Sequence, residues 1–261
     1  MIRPLILGIT IALLAGAQSF EVVSIKLNQS GDIGGGMGPR GGRFRATNIN
    51  LSGLVQYAYS PAGHSLLDAQ VVGLPIWART DRYDIEAKPP DGAPVGGGEQ
   101  TRAMMRSLLE DRFHLKFHRE TIDLPVYNLV TTKNGPVLPA DQTPPDPRQT
   151  FITFATEGSP LSPLPRGALR MVAGPNTTVL TGEAISVPRL VQLLQGRSDR
   201  IIIDKSGFTG LLDVQLTFGQ DPAGEDPALF TAIQEIGLKL QSAKAPVEVV
   251  VVDRVERPRP N

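Results

Sequence analysis

The sequence contains no cysteine. That absence excludes thiol nucleophiles, disulfides, thiolate zinc sites and Cys-ligated clusters. A chain of 261 residues does not need disulfides, because it can bury a sizeable core, or two small ones, by size alone. Aromatic residues are scarce at 5%, with a single tryptophan, Trp77. Net charge is lacking too, since 26 Lys and Arg are matched by 26 Asp and Glu. A balanced chain carries no electrostatic footprint for nucleic acid or anionic lipid. Long hydrophobic runs are missing, so no segment has the ~20 apolar residues that a membrane-spanning helix needs. What is abundant is backbone punctuation, with 27 glycines and 23 prolines. That is above ordinary usage but short of wholesale disorder.

The first residues have a secretory layout. Met1-Ile2-Arg3 is a positive start, Pro4–Leu14 is an apolar run, and Ala15-Gly16-Ala17 is a small-x-small site. This pattern predicts a signal peptide over residues 1–17, cleaved before Gln18, and a periplasmic or secreted mature protein with no membrane span. A buried N-terminal helix or an uncleaved anchor is the alternative. With no cysteine after the site, lipid attachment there is excluded.

The mature chain reads as one unit followed by a worn copy of itself. Leu51–Tyr59, Tyr83–Lys88, Met104–Phe117 and Pro125–Val130 recur in order as Val187–Leu194, Leu212–Leu216, Leu229–Leu240 and Pro246–Val251. Internal repeats of this kind decide the fold. Asn50 and Ser186 stand where a helix N-cap belongs, ahead of apolar residues at helical spacing. Tyr83, Ile85 and Ala87 alternate with Asp84, Glu86 and Lys88 as in a half-buried strand. Met104, Met105, Leu108, Leu109 and Phe113 form an amphipathic stripe. The predicted fold is therefore α+β, in two tandem modules. Each runs strand, helix, strand, helix, strand, strand, the last two as a hairpin, with helices packed on a small, mostly antiparallel sheet. The first module spans 18–135 and contains a glycine-rich loop over 31–42. A proline-rich linker covers 136–167, with one short strand at Phe151–Phe154, and the second module spans 168–256. Residues 257–261 read as a frayed tail.

Several of these segments together resemble a known family. They are Phe20–Lys26 after the leader, Ala58-Tyr59, Gly73-Leu74-Pro75-Ile76-Trp77, Tyr83–Lys88, Leu108–Phe113 and Asp204–Gly210 before Leu212-Asp213. In this order they resemble the soil-associated exported proteins abundant in Acidobacteria, a domain of unknown function. The resemblance covers nearly the whole mature chain. It implies no established activity, so no catalytic residue carries over. Some members join this domain to membrane peptidases of the sensor type, which implies sensing or interaction in the envelope. Each copy also resembles the short N-terminal domain of secretins and TonB-dependent receptors, a protein-contact module.

Constellations that could carry chemistry are few. His114, Lys116, His118 and Glu120 would share a strand face, but a cation between two imidazoles opposes metal binding. No Gly-Lys-Ser/Thr follows the glycine cluster, so it reads as a flexible loop and not a phosphate cradle. Ser206 sits in a turn, without a Gly-x-Ser-x-Gly elbow. Asp84 and Asp213 hold matching positions in the two copies. Paired carboxylates can serve glycoside hydrolysis, but equivalent positions suit a shared structural duty such as bonding a turn's backbone. Tyr57, Tyr59, Trp77 and Tyr83 either line a ligand or partner groove or fill the core between helix and sheet. No metal or cofactor is expected. The reading is an exported, non-enzymatic module that binds an envelope protein or a small ligand. The alternative is an extracellular hydrolase of polysaccharide or peptide.

Overall fold

A computed structural model describes residues 19–32, 34–61, 66–93, 98–136, 138, 141–219 and 227–259. Residues 1–17, read above as a leader, His64 and parts of the loops at 89–98 and 136–140 lie outside the described residues. The elements of the first half are β1 (Val22–Leu27), β2 (Gly36–Arg40), β3 (Arg43–Asn50), α1 (Leu51–Tyr59), β4 (Val71–Val72), α2 (Trp77–Thr80), β5 (Arg82–Lys88), α3 (Glu99–Phe113) and β6 (Lys116–Thr131). Those of the second half are β7 (Ile152–Thr156), β8 (Leu169–Ala173), β9 (Thr177–Ser186), α4 (Val187–Gln195), β10 (Ile201–Asp204), β11 (Leu211–Gly219), α5 (Pro227–Ala232) and β12 (Leu238–Arg254). The fold is mixed α+β, built on three four-stranded sheets among the described residues. No helix there is long and apolar enough to cross a membrane. The chain divides into two compact units. One takes the described parts of 19–61, 73–117 and 252–259, and the other those of 66–72 and 118–251. The division is thus not the simple tandem split at 136–167 read from the sequence.

In the first unit the sheet order is β1-β5-β3-β2. Phe44 and Ala46 of β3 and Tyr83, Ile85 and Ala87 of β5 are buried, which is the alternation their sequences predict. α1 packs on α3. Leu51, Leu54, Val55 and Ala58 face Met104, Met105, Leu108, Leu109 and Phe113 in the core. α3 stops at His114, which takes a left-handed conformation (φ 51°).

α1 begins at Asn50, whose side-chain oxygen accepts the Gly53 N–H at 2.9 Å while its amide donates to the Arg79 carbonyl. Ser186, at the same place before α4, makes no side-chain capping bond. Only one of the two predicted caps is therefore formed. Asn50→Ala should cost about 1 kcal/mol in urea unfolding, and Ser186→Ala only a few tenths. Equal losses from both would contradict the assignment.

In the second unit one sheet is ordered β11-β9-β8-β7 and another β10-β6-β12-β4. Leu169, Leu180, Leu190, Leu194, Leu212 and Leu229 belong to its core. After α5 the chain tightens into a 3-10 turn over Ile233–Ile236 and stops at Gly237 (φ 80°), the stop read from the sequence.

Two expectations are corrected. The hairpins at 115–132 and 238–254 are absent, because β6 and β12 are each one continuous strand. Glu120-Thr121-Ile122-Asp123 and Ser242-Ala243-Lys244-Ala245 hold no glycine or asparagine to turn the chain. The glycine-rich loop contains β2, paired antiparallel with β3. Glycine backbone hydrogen-bonds like any other, and a Cβ at Gly35 would lie 2.5 Å from the Asn48 carbonyl oxygen. The short strand expected at Phe151–Phe154 is present as β7, which pairs parallel with β8. Trp77 opens α2.

The two sheets share one irregularity. The β3–β5 register slips between Ala46 and Ile49, and the β9–β11 register slips opposite Leu212 and Val214. At each slip a non-glycine residue adopts φ 55°, Asn48 in one and Ala184 in the other. Such a bulge turns its N–H out of the ladder. In each case an aspartate accepts that N–H. Asp84 bonds Asn48 at 2.9 Å, and Asp213 bonds Ala184 at 3.0 Å. Both bulged residues are buried, so neither N–H could rely on solvent. Beyond this shared part the sheets differ, with β1 added beside β5 in one and β7 beside β8 in the other.

Candidate functional site

A chemically varied concavity lies in the first unit, beside β1. β1 pairs antiparallel with β5 and closes that end of its sheet. The Asn28 N–H donates to the Arg82 carbonyl at 2.7 Å, which sets the parity of the ladder. Even-numbered residues of β1 face β5, and the main-chain groups of Val23, Ile25 and Leu27 point the other way. The Val23 carbonyl accepts from the Arg112 guanidinium at 3.3 Å. Ile25 is buried and Leu27 exposed where β1 lines a cleft of about 350 Å³.

Three stretches of chain build its walls. β1 supplies Ile25, Lys26 and Leu27, the turn into β5 supplies Asp81 and Tyr83, and residues 257–259 supply Arg257 and Arg259. Leu27 is 53% exposed, unusual for a leucine on a strand. Asp81 closes α2, its N–H donating to the Trp77 carbonyl. Its carboxylate accepts the Arg257 Nε at 2.9 Å. The same guanidinium lies 5.0 Å from the centre of the Trp77 ring, within cation–π range. Burial pushes the Tyr83 phenol above its ordinary pKa, Asp81 adds to this and Arg257 opposes it, so the phenol stays neutral at physiological pH. Arg257 is thus pinned by an anion and an aromatic face. This corrects the frayed-tail reading at Arg257, and just before it the Glu256 N–H donates to the Phe113 carbonyl at 2.7 Å. Lys26 has no ion-pair partner among the described residues.

The four aromatic residues singled out from the sequence do not form one surface. Tyr59 is buried with its ring 4.4 Å from that of Phe117. Tyr57 leans on Phe44 at 5.4 Å. Its hydroxyl is buried without a hydrogen-bond partner among the described residues. Burial raises its pKa, with Arg102 opposing. Tyr83 is 3% exposed and packs edge-on against Phe113. Only the rim of Tyr83 and the half-exposed Trp77, joined through Asp81 and Arg257, reach the cleft region. Lys26, Asp81, Arg257 and Arg259 were not read as site residues. The Arg257-Pro258-Arg259 run was the available signal, because proline holds such a stretch extended.

Other candidates are occupied elsewhere or apart. His114 caps α3 and is not on a strand, because the chain leaves the helix there through a left-handed residue. His118 is exposed, with Glu120 at 3.9 Å. Among the described residues no group of three or more His, Asp or Glu could hold a metal ion. The Ser206 hydroxyl donates to Asp204 at 2.7 Å and accepts the Phe208 N–H at 3.2 Å, as part of a turn. A second groove, about 570 Å³ and beside β2, is lined by four glycines together with Met37, Pro39, Arg40, Arg45 and Thr47.

Comparison with protein families finds that the profile described as a protein of unknown function (DUF3738) matches residues 52–255. Neither a curated protein nor a solved structure matches the chain.

Proposed function

The chain belongs to the DUF3738 family, and from that premise we propose that it is an exported, non-enzymatic binding module of the cell envelope or the surrounding medium. One observation carries this reading. The cleft beside β1 holds recognition chemistry, with Leu27 and the rim of Tyr83 beside Lys26, Arg257 and Arg259, and the candidate catalytic groups are engaged in holding backbone. Asp84 and Asp213 brace bulges, and Ser206 ties a turn. The leader pattern of Arg3, the apolar run and Ala15-Gly16-Ala17 supports export.

The same reading covers the architecture. We take the β8–β9–α4–β11 part of the second unit to be a diverged copy of β2–β3–α1–β5 in the first. The paired bulges at Asn48 and Ala184, each followed directly by a helix and each braced by an aspartate, support it.

Turnover is the test of function. Purified full chain should hydrolyse no member of a panel of polysaccharides and peptides. Hydrolysis that survives purification and disappears in Ser206→Ala or Asp84→Asn would overturn the reading in favour of an extracellular hydrolase. In an expressing cell, N-terminal sequencing of the exported protein should begin at Gln18. Intact Met1 in a membrane pellet would contradict export.

A further inference from the structure

We propose that β7 pairs with β7 of a second copy of this chain, antiparallel and about a twofold axis through Phe154. β7 ends the β11-β9-β8-β7 sheet, and none of its five residues is buried. The Phe151 carbonyl accepts the Leu169 N–H at 2.9 Å, and the Glu157 N–H donates to the Ala173 carbonyl at 2.8 Å. Odd-numbered residues of β7 therefore turn their main-chain groups to β8, and those of Ile152, Phe154 and Thr156 point outward. The Thr156 carbonyl also takes the Ser159 N–H at 3.1 Å, which leaves it one lone pair for a further donor. No other strand pairs with this side of β7 among the described residues.

An edge of unpaired N–H and C=O groups is a template for a further strand, and proteins with no use for one shorten, charge or cover it. The other sheet ends carry such devices. β2 has Pro39 and Arg40, β4 and β10 are two and four residues long, the Arg112 guanidinium donates to the Val23 carbonyl of β1, and the Gln142 side chain takes the Leu211 N–H of β11. β7 has none, since residues 150–156 read Thr-Phe-Ile-Thr-Phe-Ala-Thr without a charge, proline or glycine. The same composition selects the occupant. It offers no charge to choose a charged partner. In a twofold antiparallel pairing the residue on the axis meets itself, so a charge there would face its own kind. Here that residue is Phe154. It shares a face with the buried Met171 and is nonetheless 66% exposed, because no strand lies beyond it. The second copy covers it with its own Phe154, the two Cα atoms about 5.5 Å apart as in any hydrogen-bonded pair. On the same face Ile152 meets Thr156 of the second copy. Both β7 edges are consumed in the contact, so the assembly closes at two chains.

Sedimentation equilibrium of the full chain tests this. At about 100 μM it should give the mass of two chains, since a contact this small is filled only above a Kd of roughly 10 μM. Phe154→Lys and Phe154→Glu should each weaken association by roughly tenfold or more, with circular dichroism unchanged because the side chain is exposed. Mixed in equal amounts, the two variants should recover the mass of a pair, since lysine then faces glutamate across the axis. Without any substitution, amide exchange at Ile152 and Phe154 should slow as the protein is concentrated from about 1 to 100 μM. A parent protein that sediments as a single chain, or exchange there that ignores concentration, would overturn the proposal. Single variants that stay paired would overturn it too, as would a mass that climbs past two chains. A mixture that stays unpaired while the parent pairs would overturn the register at Phe154.

Discussion

Leu109→Ala is expected to destabilise the protein by about 2–5 kcal/mol, the usual cost of removing a buried leucine and leaving a cavity. Leu109 is fully buried on the inner face of α3, among Met105, Leu108 and Phe113 and facing α1. Packing at this density leaves little room for neighbours to collapse into the space. Against a typical total stability of ~5–15 kcal/mol the loss is large. Urea unfolding should show a lower midpoint with an unchanged slope. An unchanged midpoint would mean that this face of α3 does not carry the core.

Asp84→Ala and Asp213→Ala are each expected to cost about 1.5–3 kcal/mol, because each leaves a buried backbone N–H without its charged acceptor. The N–H belongs to a residue already in the left-handed region, a conformation that costs a non-glycine residue about 1–2 kcal/mol. The carboxylate is what holds it there. Asp84 should be the more costly, since it also accepts from the Asn28 side chain at 2.9 and 3.0 Å. Asp→Asn at either site keeps one acceptor and should lose less than Asp→Ala. If both alanine variants melt like the parent protein, the bulges stand without their braces.

These two effects mark how much could be read without coordinates. The stripe on α3 was legible because five apolar residues at helical spacing leave one consistent face. The alternation of β5 was legible for the same kind of reason at period two. The structural duty of Asp84 and Asp213 followed from their matching positions in the two segments read as copies. What they hold did not follow, because Asn48 and Ala184 carry no common sequence signal for a positive φ. The hairpins were misread because apolar alternation on either side of a polar stretch looks the same whether the chain turns or runs on. The strand β2 was hidden in Gly36-Met37-Gly38-Pro39-Arg40, where glycines supply no side-chain pattern. The cleft was least visible. Lys26, Asp81 and Arg257 are far apart in sequence, and their convergence is purely tertiary. Trp77 and Tyr83 were singled out as part of an aromatic group with Tyr57 and Tyr59 in the first half of the chain. Tyr59 was offered as a surface residue and belongs to the core, since a helix so apolar buries its aromatic residues too.

The central claim, that Asp84 and Asp213 hold bulged backbone and not substrate, is tested most directly by amide hydrogen exchange of Asp84→Ala and Asp213→Ala against the parent protein. The Asn48 N–H should exchange faster in the first variant and the Ala184 N–H in the second, because each loses its acceptor. Unchanged exchange at Asn48 and Ala184 in both variants would contradict it.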